Sequence, residues 1–127
     1  MFSDKERLVS LLEKAIEEMH LILAMSEPIK NANDFGVNLE GMTIFRACSM
    51  SLQFITESFV KIRNMGGADL LKAYKAVPWE QVFGMRNFLS HEYVEVDENA
   101  LFSTIKEDIP TLLAVSEQIL LDVRDRN

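Results

Sequence analysis

Val77-Pro78-Trp79-Glu80-Gln81-Val82-Phe83-Gly84-Met85-Arg86-Asn87-Phe88-Leu89-Ser90-His91-Glu92-Tyr93 is the stretch on which the fold turns. Pro78 suits the opening of a helix, where its missing N–H does no harm. Val82, Met85 and Leu89 follow at helical spacing, and the pattern predicts a helix from about Trp79 to His91 with those three on its core face. The same period governs both flanks. Upstream, Ile44, Cys48, Leu52, Ile55, Phe59 and Ile62 make the apolar stripe of a helix over Leu39 to Asn64, which Met65-Gly66-Gly67 should end because glycine breaks a helix and tolerates positive φ. A short helix over Asp69 to Lys75 can follow. Downstream, Asp97 is a good N-cap for a last helix carrying Leu101, Ile105, Ile109, Leu112, Leu113, Leu120 and Val123, with Pro110 expected to kink or split it.

At the N-terminus, Ser3-Asp4-Lys5-Glu6 has the form of a capping box. Leu8, Leu12, Ala15, Ile16, Met19 and Leu23 then predict a helix from Asp4 to Ser26, stopped by Pro28. Residues 31–38 are rich in turn formers and read as a loop, the candidate for the most mobile segment. No useful length alternates like a strand, and there are no internal repeats. The expectation is an all-α chain: an antiparallel four- to five-helix bundle in one domain, residues 1–127.

Composition agrees. Apolar residues make up 48% of the 127 positions, so a packed core is expected rather than disorder. No apolar run approaches the ~20 residues that span a bilayer, and the N-terminus has no signal-peptide pattern. The single Cys48 lies on an apolar stripe and reads as a buried core thiol in a reducing, cytoplasmic setting. Net charge is −7, which by itself argues against nucleic acid. The distribution alters that: residues 1–40 carry −4, residues 41–90 carry +3 and residues 91–127 carry −6. The positive part coincides with Arg86 and His91. It is consistent either with solvated helix faces or with a local anion site. Arg46, Gln53, Glu57 and Lys61 form a polar stripe on the second long helix, either a solvated face or the wall of a cleft or subunit contact.

The chemistry concentrates at residues 84–93. His91 is one of two histidines, and imidazole can move protons near neutral pH. The Arg86 guanidinium offers a permanent charge and a planar fork of donors suited to phosphate. The Asn87 amide can orient either group, and Tyr93 offers a hydroxyl. At about 100° per residue, Gly84, Asn87 and His91 fall together opposite the apolar side, while Arg86 is about 140° from His91. The two can meet only if the helix ends or distorts near Ser90, if the Arg side chain reaches round, or if two copies pair across a dimer. Gly84 removes a side chain and lets a backbone or ligand approach. The Gly84, Asn87 and His91 side is therefore read as the dimer interface, with Arg86 at the edge of a shared cleft. The bland alternatives are a helix-end His near terminal carbonyls and a surface ion pair of Arg86 with Glu80 or Glu92. His20 reads as structural. No Cys/His/Asp cluster has metal-ligand spacing, so no metal site is expected, and no cofactor motif is present.

Arg86, His91 and Tyr93 reproduce the Arg-x-x-x-x-His-x-Tyr motif of HepT-like toxins of the HEPN superfamily, which this chain resembles. Residues 77–87 resemble that family's approach to the motif, and Asp97 through Leu113 its final helix, about 40 residues in all. Glu92 stands where glycine is expected, and Thr56-Glu57-Ser58 where Gly-Glu-Ala is usual. The resemblance implies a HEPN-like fold and a homodimeric, metal-independent endoribonuclease toxin without cofactor. It implies that His91 is general base or acid, that Arg86 stabilises the phosphorane, and that Asn87 is their helper. It further implies a nucleotidyltransferase antitoxin of the MntA type that transfers AMP to Tyr93. The alternatives are a non-catalytic helical subunit that docks a nucleotidyltransferase and offers it a substrate, or a plain structural bundle.

Overall fold

The computed structural model describes residues 3–92 and 97–126, and over 86–92 it describes the backbone alone. Helix α1, Asp4–Met25, begins where Ser3 Oγ accepts the Glu6 backbone N–H at 3.1 Å. The Glu6 carboxylate in turn accepts the Ser3 hydroxyl. Leu12, Ala15, Met19 and Ile22 are its buried positions. Their i, i+3, i+4 spacing makes one apolar stripe.

The 31–38 segment is more than a loop. It contains a 3-10 turn, Ala32–Phe35. Asp34 Oδ2 accepts the backbone N–H groups of Lys30 at 2.8 Å and Asn31 at 3.3 Å. Phe35 is buried, edge-on to Phe45 with ring centroids 5.3 Å apart. The turn-forming composition conceals an aromatic anchor. Gly41 fits beneath this turn: a Cβ there would stand 1.9 Å from the Asp34 carbonyl oxygen, so only glycine allows the approach.

Helix α2, Leu39–Ile62, is capped by Asn38, whose Oδ1 accepts the Gly41 N–H at 2.8 Å. Cys48, Leu52, Ile55, Phe59 and Ile62 are buried, as the periodicity predicts. Thr56 and Ser58, the bulkier residues at the Gly-Glu-Ala position, are also buried. Their hydroxyls donate back to the Leu52 and Phe54 carbonyls, at 2.9 and 3.1 Å, so neither is left unsatisfied. The helix ends in a π turn, Arg63–Gly67, with Gly66 at φ 99°, the left-handed conformation glycine permits.

The short α3, Ala68–Lys72, leads to α4, Trp79–Glu92. The Pro78 carbonyl accepts the Gln81 and Val82 N–H groups and so starts α4 as the sequence predicts. Helix α5, Glu98–Ser103, is capped by Asp97 and passes through a π turn, Thr104–Asp108, into α6, Ile109–Arg124. Pro110 acts here: the wider turn, with the Ile109 N–H on the Thr104 carbonyl, absorbs a residue that cannot donate.

The chain is all-helical among the described residues. Helix α1 packs against α2 and α6, and α2 packs in addition against α4. Ser51 Oγ donates to Glu18 Oε1 at 2.7 Å between α2 and α1, and Arg124 donates to Glu13 at 2.8 Å between α6 and α1. The second pair is exposed and contributes little to stability. The apolar layer between the helices carries the fold. No described helix is long and apolar enough to cross a membrane.

Candidate active site

The motif helix α4 is held at its start by aromatic packing. Trp79 and Phe59 lie 5.4 Å apart between ring centroids, and Trp79 Nε1 donates to the Tyr74 carbonyl at 3.1 Å. Among the α4 residues whose side chains are described, Trp79, Val82 and Phe83 are buried and Met85 is half-buried against the core. Val82 and Met85 thus lie on the core side as the spacing predicts, and the Leu89 side chain lies outside the described residues. The buried face also takes in Phe83, with Phe59 of α2 packed on Trp79 and Arg63 over the Phe83 ring. Periodicity along one helix cannot show which side its neighbours approach.

The α4 backbone carries Arg86, Asn87 and His91, and it stays helical through Glu92. Of the three routes for bringing Arg86 to His91, a helix end near Ser90 falls here only after His91, at Glu92. On a continuous helix the two remain about 140° apart in register. A reaching side chain or a second copy is left. The side-chain positions expected for Arg86, Asn87 and His91 lie outside the described residues, and so does Tyr93 altogether.

Gly84 is exposed, and a Cβ placed on it would meet nothing within 4 Å. Nothing among the described residues requires glycine there. Its small size matters only to something approaching from outside. The stripe on α2 is solvated at Arg46, Gln53 and Lys61, while Glu57 is half-buried. Met50 and Phe54 share that exposed side.

Arg63 is a feature the sequence did not disclose. Its guanidinium carbon stands 4.6 Å from the centroid of the Phe83 ring, one helical turn before Arg86 and Asn87. No spacing rule links residues 20 positions apart across two helices. Elsewhere, a cavity of about 130 Å³ opens beside α4 at Gln81, Val82 and Met85, facing Asp108 and Ile109. It flanks a different side of α4 from Phe83. Burial, with the neighbouring Glu107 charge, holds the Asp108 carboxyl above the usual carboxylate range.

Burial pushes the Cys48 thiol up to about 11, which fits a core residue and no nucleophile. His20 is exposed on α1. Among the described residues, no three His, Cys, Asp or Glu side chains gather as a metal site.

The sequence profile of the family described as ribonuclease HepT-like matches residues 12–119. The chain belongs to the HepT-like ribonuclease family. The HepT-like match takes in most of α1, all of α2 through α5 and most of α6, so the motif helix lies well inside it. Three similar proteins bear names that mark them as candidate ribonucleases. One from Methanocaldococcus jannaschii is 30% identical over 79 residues, covering 62% of this chain and 69% of its own. One from Thermococcus cleftensis, named for HepT itself, is 35% identical over 69 residues, 54% of this chain and 59% of its own. One from Caldanaerobacter subterraneus subsp. tengcongensis is 28% identical over 109 residues, 86% of this chain and 90% of its own. No solved structure matches the chain.

Proposed function

We propose that this protein is the ribonuclease toxin of a toxin–antitoxin pair. One observation carries the reading: the region matched to the HepT-like ribonuclease family contains a single continuous helix that bears Arg86, Asn87 and His91. The reaction is cleavage of RNA without a metal. His91 takes the proton of a ribose 2′-hydroxyl, whose oxygen forms a new bond to the adjacent phosphorus. The bond from phosphorus to the 5′-oxygen breaks, and that oxygen takes a proton from water as it leaves. The products are a 2′,3′-cyclic phosphate and a 5′-hydroxyl. Arg86 neutralises the charge that builds on the phosphorane oxygens, and Asn87 orients the imidazole or the phosphate. DNA lacks the attacking hydroxyl and is inert.

The working unit is a homodimer of single-domain subunits in the cytoplasm. Helix register keeps Arg86 and His91 of one α4 well apart, and a second α4 approaching over Gly84 supplies the missing half of the cleft. The exposed Gly84, with nothing near its Cβ position, supports that approach. The antitoxin is a nucleotidyltransferase of the MntA type. The Tyr93 oxygen attacks the α-phosphate of ATP, pyrophosphate leaves, and the AMP left behind sets negative charge at the cleft mouth, where it repels RNA.

The test is cleavage of a single-stranded RNA by purified protein in the presence of chelator, with wild type beside His91→Ala and Arg86→Gln. Wild type yields cyclic-phosphate ends, and each variant loses about 10²–10⁴-fold in rate. Equal cutting by wild type and His91→Ala would remove the proposal.

A further inference from the structure

We infer that Arg63 is an RNA-phosphate-binding residue of this site, brought to it from α2 by its stack on Phe83. The inference rests on the ribonuclease reading above and adds to it a residue outside the motif. Arg63 opens the π turn that closes α2, and its guanidinium lies over the Phe83 ring at 4.6 Å. Its Nε donates to Asn64 Oδ1 at 3.2 Å. The two terminal nitrogens have no hydrogen-bond or carboxylate partner among the described residues. The residue is half-buried, and four of its donor hydrogens have no partner among the described residues, so its outer edge is free to take an anion.

Its placement selects the anion. Phe83 precedes Arg86 by three residues and Asn87 by four, the spacings that put residues next to one another on a helix. Arg63 therefore stands over the turn of α4 that leads into the motif. In sequence, the stretch from 61 to 75 carries Lys61, Arg63, Lys72 and Lys75 against Asp69, with all three lysines exposed, on a protein of net charge −7. Such a locally positive stretch favours a polyanion on an otherwise repellent chain. Arginine suits the position as lysine does not. Its planar head can lie on the ring while its edge presents two N–H groups to one phosphate. The fitting partner is single-stranded RNA, gripped at a phosphate beside the one attacked.

The plain alternative is that Arg63 only shields Phe83 from water. Fluorescence anisotropy of a labelled 2′-O-methyl oligoribonucleotide, which binds but cannot be cut, separates the two. The proteins are full-length wild type, Arg63→Gln, Arg63→Lys and, as control, Lys30→Gln in the connection between α1 and α2. Arg63→Gln is expected to weaken binding about tenfold and to reduce the slope of log affinity against log salt by about 0.7. Arg63→Lys should restore the slope and only part of the affinity, and Lys30→Gln should match wild type. Binding by Arg63→Gln equal to wild type, with only its melting temperature lowered, overturns the inference and leaves the nuclease reading to the cleavage assay. Binding that depends on Arg63 in a protein that cuts no RNA supports the Arg63 site and removes the nuclease reading. A wild type that binds no RNA overturns both.

Discussion

Phe59 of α2 and Trp79 of α4 hold their rings 5.4 Å apart at 48°, and this joint sets where the motif helix starts. Both side chains are buried, and the Trp79 indole N–H is satisfied by the Tyr74 carbonyl. An indole buried this way contributes through packed area and through the partner that its N–H finds. Trp79→Ala is expected to cost about 3–5 kcal/mol of unfolding free energy, measured by urea titration, with Trp79→Phe costing less. A loss under about 1 kcal/mol would mean that α4 is anchored by something else.

Gly84 separates stability from assembly. It sits within α4 with open space where a Cβ would go. Gly84→Ala should therefore stabilise the fold by about 0.5–1 kcal/mol, because alanine loses less backbone freedom in a helix. Gly84→Trp should fold as well and yet weaken self-association. Light scattering beside thermal melting checks both, and a wild type that is monomeric at micromolar concentration removes the dimer from the proposal.

The Tyr74 hydroxyl donates to Asp122 Oδ2, tying the turn after α3 to α6. That hydrogen bond, with a second from Gln118, holds the Asp122 carboxyl below the usual carboxylate range. Burial first, then the bond to Asp122, pushes the Tyr74 phenol above its ordinary value of 10.0. The two signs differ. A lowered carboxyl adds stability that is present above about pH 4 and lost as pH falls through its folded value. A raised phenol adds stability that is present below about pH 10 and lost as pH rises through its folded value. Tyr74→Phe should flatten both limbs of stability against pH, measured by denaturant midpoint from pH 2 to 11. Unchanged limbs would show that the bond does not form in solution.

Cys48 offers a probe of the core. Its thiol is buried and pushed up to about 11, so thiolate is scarce at neutral pH. One thiol should react with a disulfide reagent in urea and almost none in the native protein at pH 8, read by absorbance. Fast native labelling would place Cys48 outside the core.

The helices were legible because their signals are local. Ser3 and Asp97 each accept a hydrogen bond from a backbone N–H in the first turn that follows, as their cap readings require. Pro110, which cannot donate, falls just after the wider turn that joins α5 to α6. The stripe from Cys48 to Ile62 is buried because its spacing leaves it one face. Local signals failed where the partner was distant. Phe35 hides in a turn-rich segment because its anchor, Phe45, lies on another element. Phe83 is buried on α4 although the stripe read from the sequence left it out, because periodicity reports a stripe without saying which neighbour covers it.

By itself the sequence determined the helical class, the ends of most helices and the place of the motif by which the chain resembles the HepT-like family. All of these rest on bonds and periods within a few residues. Only the tertiary structure decided that Phe83 joins the buried side of α4. It alone placed Arg63 on Phe83 beside the motif. Those facts depend on how α2 and α4 pack, a contact between residues 20 positions apart that no local pattern encodes.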